Sequence, residues 1–185
     1  MKLAILVGLI LVAAGVVYYL ARQAMATYLR YRGTRVITCP ESRSPAAVRV
    51  DVLDAVVGAL RGSNEHRLAD CSRWPERQAC GQHCLEQVEG APEGCLVREL
   101  LEGWYRDKSC ALCHRAFRDV HWHDHKPCLI NEEGRTAEWR DFQPERLPGV
   151  LETHQPVCWD CHVAETFRRT RPDRVVDRDR DSASA

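Results

Sequence analysis

Hydrophobic residues are distributed unevenly along this chain. Leu3 to Leu20 is an unbroken apolar run, and beyond it apolar positions occur in short bursts between charged and turn-forming residues. As a helix, the run covers roughly 27 Å at 1.5 Å per residue, close to the hydrocarbon thickness of a bilayer. Tyr18 and Tyr19 stand where an interfacial belt would form. Ala24-Met25-Ala26 looks like a leader cleavage site, but the apolar stretch exceeds a usual leader core and Arg22 precedes the cut. A retained anchor over residues 1–21 is therefore expected, with a basic juxtamembrane helix or linker over 22–35 lying against anionic headgroups.

Downstream, the pattern predicts alternating small elements. Val36-Ile-Thr-Cys39 reads as a short strand, Ser44-Pro45 as a turn and Val48-Arg-Val50 as a second strand. Val52 to Leu60 has helical spacing and meets a stop at Gly62. Ser72 predicts a cap for a helix starting near Pro75, which would set Cys80 and Cys84 one turn apart on one face. Glu93 to Tyr105 carries a core-facing stripe of Leu96, Val97, Leu100, Leu101 and Trp104. Asn131 to Gly134 reads as a turn, with Thr136 to Trp139 returning as the second arm of a hairpin. Pro144, Pro148 and Pro156 predict an irregular approach to Cys158, after which Cys158 to Arg169 reads as a helix with two cysteines in its first turn. The tail from Arg171 to Ala185 alternates Arg and Asp and is expected to be disordered.

The chain has 185 residues, ten of them cysteine, and a formal net charge of zero. Neutrality gives no global field that favours nucleic acid. So many cysteines imply either disulfides in an oxidising compartment or metal in a reducing one. Lys2 alone precedes the apolar run, whereas Arg22, Arg30, Arg32 and Arg35 follow it. The positive-inside rule therefore places the domain on the cytoplasmic side of the inner membrane, where thiols stay reduced and metal is favoured.

The chemistry concentrates in two pairs, Cys110-Ala-Leu-Cys113-His114 and Cys158-Trp-Asp-Cys161-His162. Each Cys-x-x-Cys puts two sulfurs within reach of one centre, and two pairs supply a full tetrahedral thiolate shell for zinc. Cys-x-x-Cys-His is equally the attachment motif of c-type haem. The alternative is thus a two-haem electron-transfer cytochrome with His114 and His162 as axial ligands. Its remaining ligands would come from His83, His121, His123, His125 or His154, because both methionines lie in or beside the anchor. The haem reading requires export, while the zinc reading suits the cytoplasm.

Cys39, Cys71, Cys80 and Cys84 form a tentative second site for zinc or an iron–sulfur cluster, with Cys95 as a spare. Against that stands the common fate of free cysteine as a small buried hydrophobe. His121, His123 and His125 would share one face of a strand, which among charged residues points first to a solvated face. No phosphate loop, His-Glu-x-x-His helix or Gly-x-Ser-x-Gly elbow is present, so no catalytic residue is assigned. A redox-active pair with Cys158 at a helix start is the enzymatic alternative, and the second pair argues for ligation instead.

The order of parts after residue 109 resembles the treble-clef zinc fold. Cys110-Ala-Leu-Cys113 matches its knuckle, residues 120–140 its hairpin and Cys158 to Arg169 its helix. The resemblance implies one structural zinc on Cys110, Cys113, Cys158 and Cys161. Thr38-Cys39-Pro40 with Cys71-Ser-Arg-Trp74-Pro75-Glu76 and Cys80-x-x-x-Cys84 resembles a group of bacterial membrane-anchored, cysteine-rich proteins, in which glycine often stands at the position of His114. The expected whole is an α+β protein with one transmembrane helix and a small cysteine-rich metal-binding domain whose C-terminal half is treble-clef-like. Its parts are a cysteine-containing subdomain over 36–106, the metal-binding subdomain over 107–170 and the tail over 171–185. The partners expected are the membrane, through the N-terminal helix, and a protein of unspecified kind.

Overall fold

The computed structural model describes residues 2–63, 66–74, 76, 79–118, 120 and 122–174. Helix and sheet are mixed, and the chain divides into two compact units at Leu100/Leu101.

The first unit begins with helix α1 (Lys2–Tyr31). It is long and apolar enough to cross a membrane, and none of its most apolar stretch is buried, unlike the core helix of a soluble protein. The helix runs without a break through the basic segment to Tyr31. What ends it is Arg35, a fully buried guanidinium. Its Nη1 donates to the carbonyls of Tyr31 (2.7 Å) and Gly33 (3.2 Å), and its Nε donates to Pro92 O at 3.0 Å. The carbonyls left unpaired at a helix C-terminus are thereby satisfied by a cation that also suits the dipole.

Strands β1 (Arg35–Thr38), β2 (Pro45–Val50) and β3 (Leu68–Cys71) form an antiparallel sheet in that order. Helix α2 (Val52–Arg61) starts where Asp51 accepts from the Asp54 N–H at 3.1 Å, and it stops at Gly62 with φ 77°. That left-handed stop is the glycine position the pattern predicted. Ile37, Ala46, Val48, Val50, Ala55, Leu68 and Val88 pack into one core with Cys71 and Cys84.

Among the described residues, the helix expected near Pro75 is not formed. Pro75 itself lies outside the described residues, while Ser72 to Trp74 and Glu76 are turns and Cys80 is in neither helix nor strand. The Ser72 hydroxyl accepts from Ala47 N–H (3.0 Å) and so ties the turn to β2 instead of capping a helix. Gln82 adopts φ 54° and its side chain accepts from Leu68 N–H (2.9 Å), which delays helix α3 to Leu85–Gly90. Helix α4 (Val97–Tyr105) then crosses from the first unit into the second, and Leu101 and Tyr105 are buried.

In the second unit, β4 (Cys128–Ile130) lies between β5 (Thr136–Glu138) and β6 (Gln155–Val157), antiparallel to both. The β4–β5 turn is the expected one, closed by Asn131 Oδ1 accepting from Arg135 N–H at 2.8 Å. The proline-rich approach is ordered after all: helix α5 (Leu147–Thr153) places Pro148 in its first turn, where no N–H is needed, and Pro156 sits in the edge strand β6. Helix α6 (Trp159–Thr170) follows with Cys158 as its N-cap. Among the described residues, the predicted histidine strand is not formed. His121 lies outside the described residues, residues 122–125 are bends, and pairing begins only after Pro127. Of the tail, Pro172–Arg174 forms a 3-10 turn and the rest lies outside the described residues.

Candidate metal centre

Cys110 opens a tight loop. Its N–H donates to Arg115 O (2.9 Å) and its carbonyl accepts from His114 N–H (2.9 Å). A bridge between Ser109 and Ala116 closes the loop's base. His114 pays for the closure with φ 58°, a conformation that glycine adopts more readily. The loop is fixed to β6 by the Ala111 N–H donating to Pro156 O at 2.9 Å. Strand β6 leads directly into Cys158, so this one backbone bond sets the first cysteine pair against the start of α6.

The consequence is convergence. The sulfurs of Cys110, Cys113, Cys158 and Cys161 all lie within 4.8 Å of one another. Cys113 Sγ and Cys158 Sγ are 3.7 Å apart, and the Cys158 N–H donates to Cys110 Sγ at 3.3 Å. Four ligands at about 2.3 Å around a tetrahedral ion stand roughly 3.8 Å from one another, so the group has the dimensions of one metal shell. Cys110 is fully buried and Cys113 is exposed, which leaves the site at the surface with a closed inner side.

Electrostatics fit ligation. Burial alone would raise the Cys110 thiol, but donation from the backbone of Cys113, Cys158 and Leu112 outweighs it and brings the pKa down to about 7. Burial raises Cys158 and Cys161, and the nearby sulfurs Cys110 and Cys113 add to the rise at both. Four thiolates cannot share so small a volume as bare anions. A divalent cation removes that conflict.

The two pairs therefore face one centre, which opposes the two-haem alternative. Two porphyrins, each linked to its own pair, require the pairs to stand well apart. His162 Nδ1 lies 2.9 Å from Thr136 Oγ1 on β5, a bond that orients the ring. His114 belongs to the loop described above, and its unusual backbone accounts for its place there.

Cys128, fully buried in the same cluster, was not singled out by its sequence context. Its sulfur donates to Lys126 O (3.3 Å), and burial, then Glu138 and Asp141, push its pKa up to about 12. It is a core thiol beside the site and not part of it. A cleft of about 510 Å³ opens next to Cys158, lined by Phe117 and Trp159 together with Arg115, Arg118, Lys126 and Asp160.

The other predicted cysteines are placed in the first unit. Cys39, Cys71, Cys80 and Cys84 line one small cavity with Ile37, Ala46 and Trp74. Their sulfurs are not drawn together within the 4.8 Å seen in the second unit. Cys95 does not line that cavity; its sulfur donates to Ala91 O at 3.2 Å. Comparisons with protein-family models, with curated proteins and with solved structures return no match for this chain.

Proposed function

We propose that this chain is a membrane-anchored structural zinc module that serves as a binding or scaffold protein. The observation that carries the reading is the convergence of Cys110, Cys113, Cys158 and Cys161 within 4.8 Å. An all-sulfur tetrahedral set suits zinc and leaves no open position for catalysis, so the ion contributes folding energy and not chemistry. Loop, hairpin and helix follow in the order of a treble clef: Cys110–Cys113, then β4–β5, then α6. The cleft beside Cys158, with Phe117 and Trp159 in its lining, supplies an aromatic surface for a protein partner.

In this reading α1 spans the inner membrane of a bacterium, and the arginines from Arg22 to Arg35 hold the folded units on the cytoplasmic side. There the thiols stay reduced and available to metal. Two measurements test the proposal. Elemental analysis and the visible spectrum of the purified full chain are expected to show zinc and no colour; a Soret band that survives denaturation contradicts it. A reporter fused after Ala185 is expected to work only in the cytoplasm, and periplasmic activity overturns the sidedness.

A further inference from the structure

The loop at Cys39 repeats the loop at Cys110, bond for bond. Cys39 N–H donates to Ser44 O (2.9 Å) as Cys110 N–H donates to Arg115 O (2.9 Å). Arg43 N–H donates to Cys39 O (2.8 Å) as His114 N–H donates to Cys110 O (2.9 Å). Arg43 has φ 52° and His114 has φ 58°, each four residues after its cysteine. The bases match as well, with Thr38 paired to Pro45 and Ser109 to Ala116. In both loops the backbone two and three residues on, Glu41 and Ser42 or Leu112 and Cys113, donates to the first sulfur. The sequences share only the cysteine at the start. Ser42 stands where Cys113 stands, so the likeness is invisible to any search for paired cysteines.

Such a loop surrounds a sulfur with N–H groups and so stabilises a thiolate aimed at one point. Three further cysteines line the same cavity as Cys39. Cys71 ends β3, Cys84 immediately precedes α3, and Cys80 lies in the irregular segment between them. The four line one cavity of about 20 Å³, enough for about one water-sized occupant and walled by Ile37, Ala46 and Trp74. We propose that Cys39, Cys71, Cys80 and Cys84 form a second closed four-thiolate zinc site, built on a loop with one cysteine in place of two. Each thiol that binds releases its proton to solvent, and no electron moves. The cavity contracts on the ion, and Cys80, held in no helix or strand, travels furthest. Cys95, bonded to Ala91 O, takes no part.

The test is the number of zinc ions per full-length chain, read by native mass spectrometry from detergent after incubation with zinc and removal of the excess. Wild type is expected to carry two. Cys39→Ser/Cys80→Ser is expected to carry one, as is Cys113→Ser/Cys161→Ser, so each site is scored apart from the other. One zinc in wild type, unchanged by Cys39→Ser/Cys80→Ser, overturns the second site and leaves the first intact. One zinc lost only with Cys39→Ser/Cys80→Ser would overturn the first and leave the second. A readout on the wild-type chain needs no variant: a chain lighter by two hydrogens per cystine, with no second zinc and with peptide mapping that places the cystine among Cys39, Cys71, Cys80 and Cys84, refutes the proposal.

Discussion

Two cysteines of equal burial give the sharpest contrast available in this molecule. Cys110 and Cys128 are both fully buried, and both belong to the core cluster around Val157. By packing alone, Cys110→Ala and Cys128→Ala should cost the same. Each removes one buried heavy atom, for a loss of about 1 kcal/mol. Only Cys110, however, belongs to the four-sulfur group. A structural zinc site contributes roughly 10–16 kcal/mol of apparent binding energy to folding, comparable with the whole stability of a domain at about 5–15 kcal/mol. Losing a third of that figure would exceed the packing term several-fold. Cys110→Ala is thus expected to release the metal and leave the second unit largely unfolded, whereas Cys128→Ala keeps the metal and shifts the midpoint slightly. Tryptophan fluorescence during denaturant unfolding of the full chain in detergent is the assay, because Trp104, Trp122, Trp139 and Trp159 lie in the second unit and only Trp74 in the first. Equal midpoints for the two variants, with zinc retained in both, would refute the reasoning.

His114→Gly should leave zinc bound and hold or raise the unfolding free energy by up to about 1 kcal/mol, since it relieves φ 58° in the loop; loss of metal would contradict this. Zinc affinity should fall as pH drops. Burial raises Cys158 and Cys161 in the metal-free fold, so near neutrality both carry protons that zinc must displace, and these two alone give at least ~100-fold per pH unit. Competition with a chelator at two pH values reads that slope, and a flat profile would argue against thiolate ligation. Arg35→Lys should cost about 2–4 kcal/mol in a thermal melt, because lysine cannot spread donors over the carbonyls of Tyr31, Gly33 and Pro92. A melt unchanged by this substitution would show that the buried guanidinium is not what closes α1.

Elements whose signals are local were legible in the sequence. The apolar run of α1, the spacing of α2 with its stop at Gly62, the β4–β5 turn and the Cys158 helix all announce themselves within a dozen residues. What failed depends on distant partners. Ser72 reads as a helix cap until Ala47 N–H claims its hydroxyl. Pro148 and Pro156 read as an irregular approach until one finds a first helical turn and the other a sheet edge. Strand β3, with Asp70 in the middle, has no alternation to betray it. For the site itself, each cysteine pair was legible because its spacing fixes a turn. That the pairs meet follows from tertiary contacts, the register of β4 against β6 and the bond from Ala111 to Pro156. The Cys39 loop shows the limit from the other side, since the same backbone recurs with a different residue at its second ligand position.

The claim that one ion joins the two Cys-x-x-Cys pairs is tested most directly by X-ray absorption at the zinc edge. The full chain carrying Cys39→Ser and Cys80→Ser isolates the second unit's group, which is left with Cys110, Cys113, Cys158 and Cys161. The account predicts one zinc per chain with four sulfur neighbours at about 2.3 Å and no nitrogen or oxygen in the shell. A shell of two sulfurs completed by lighter atoms, or no bound zinc at all, would contradict it.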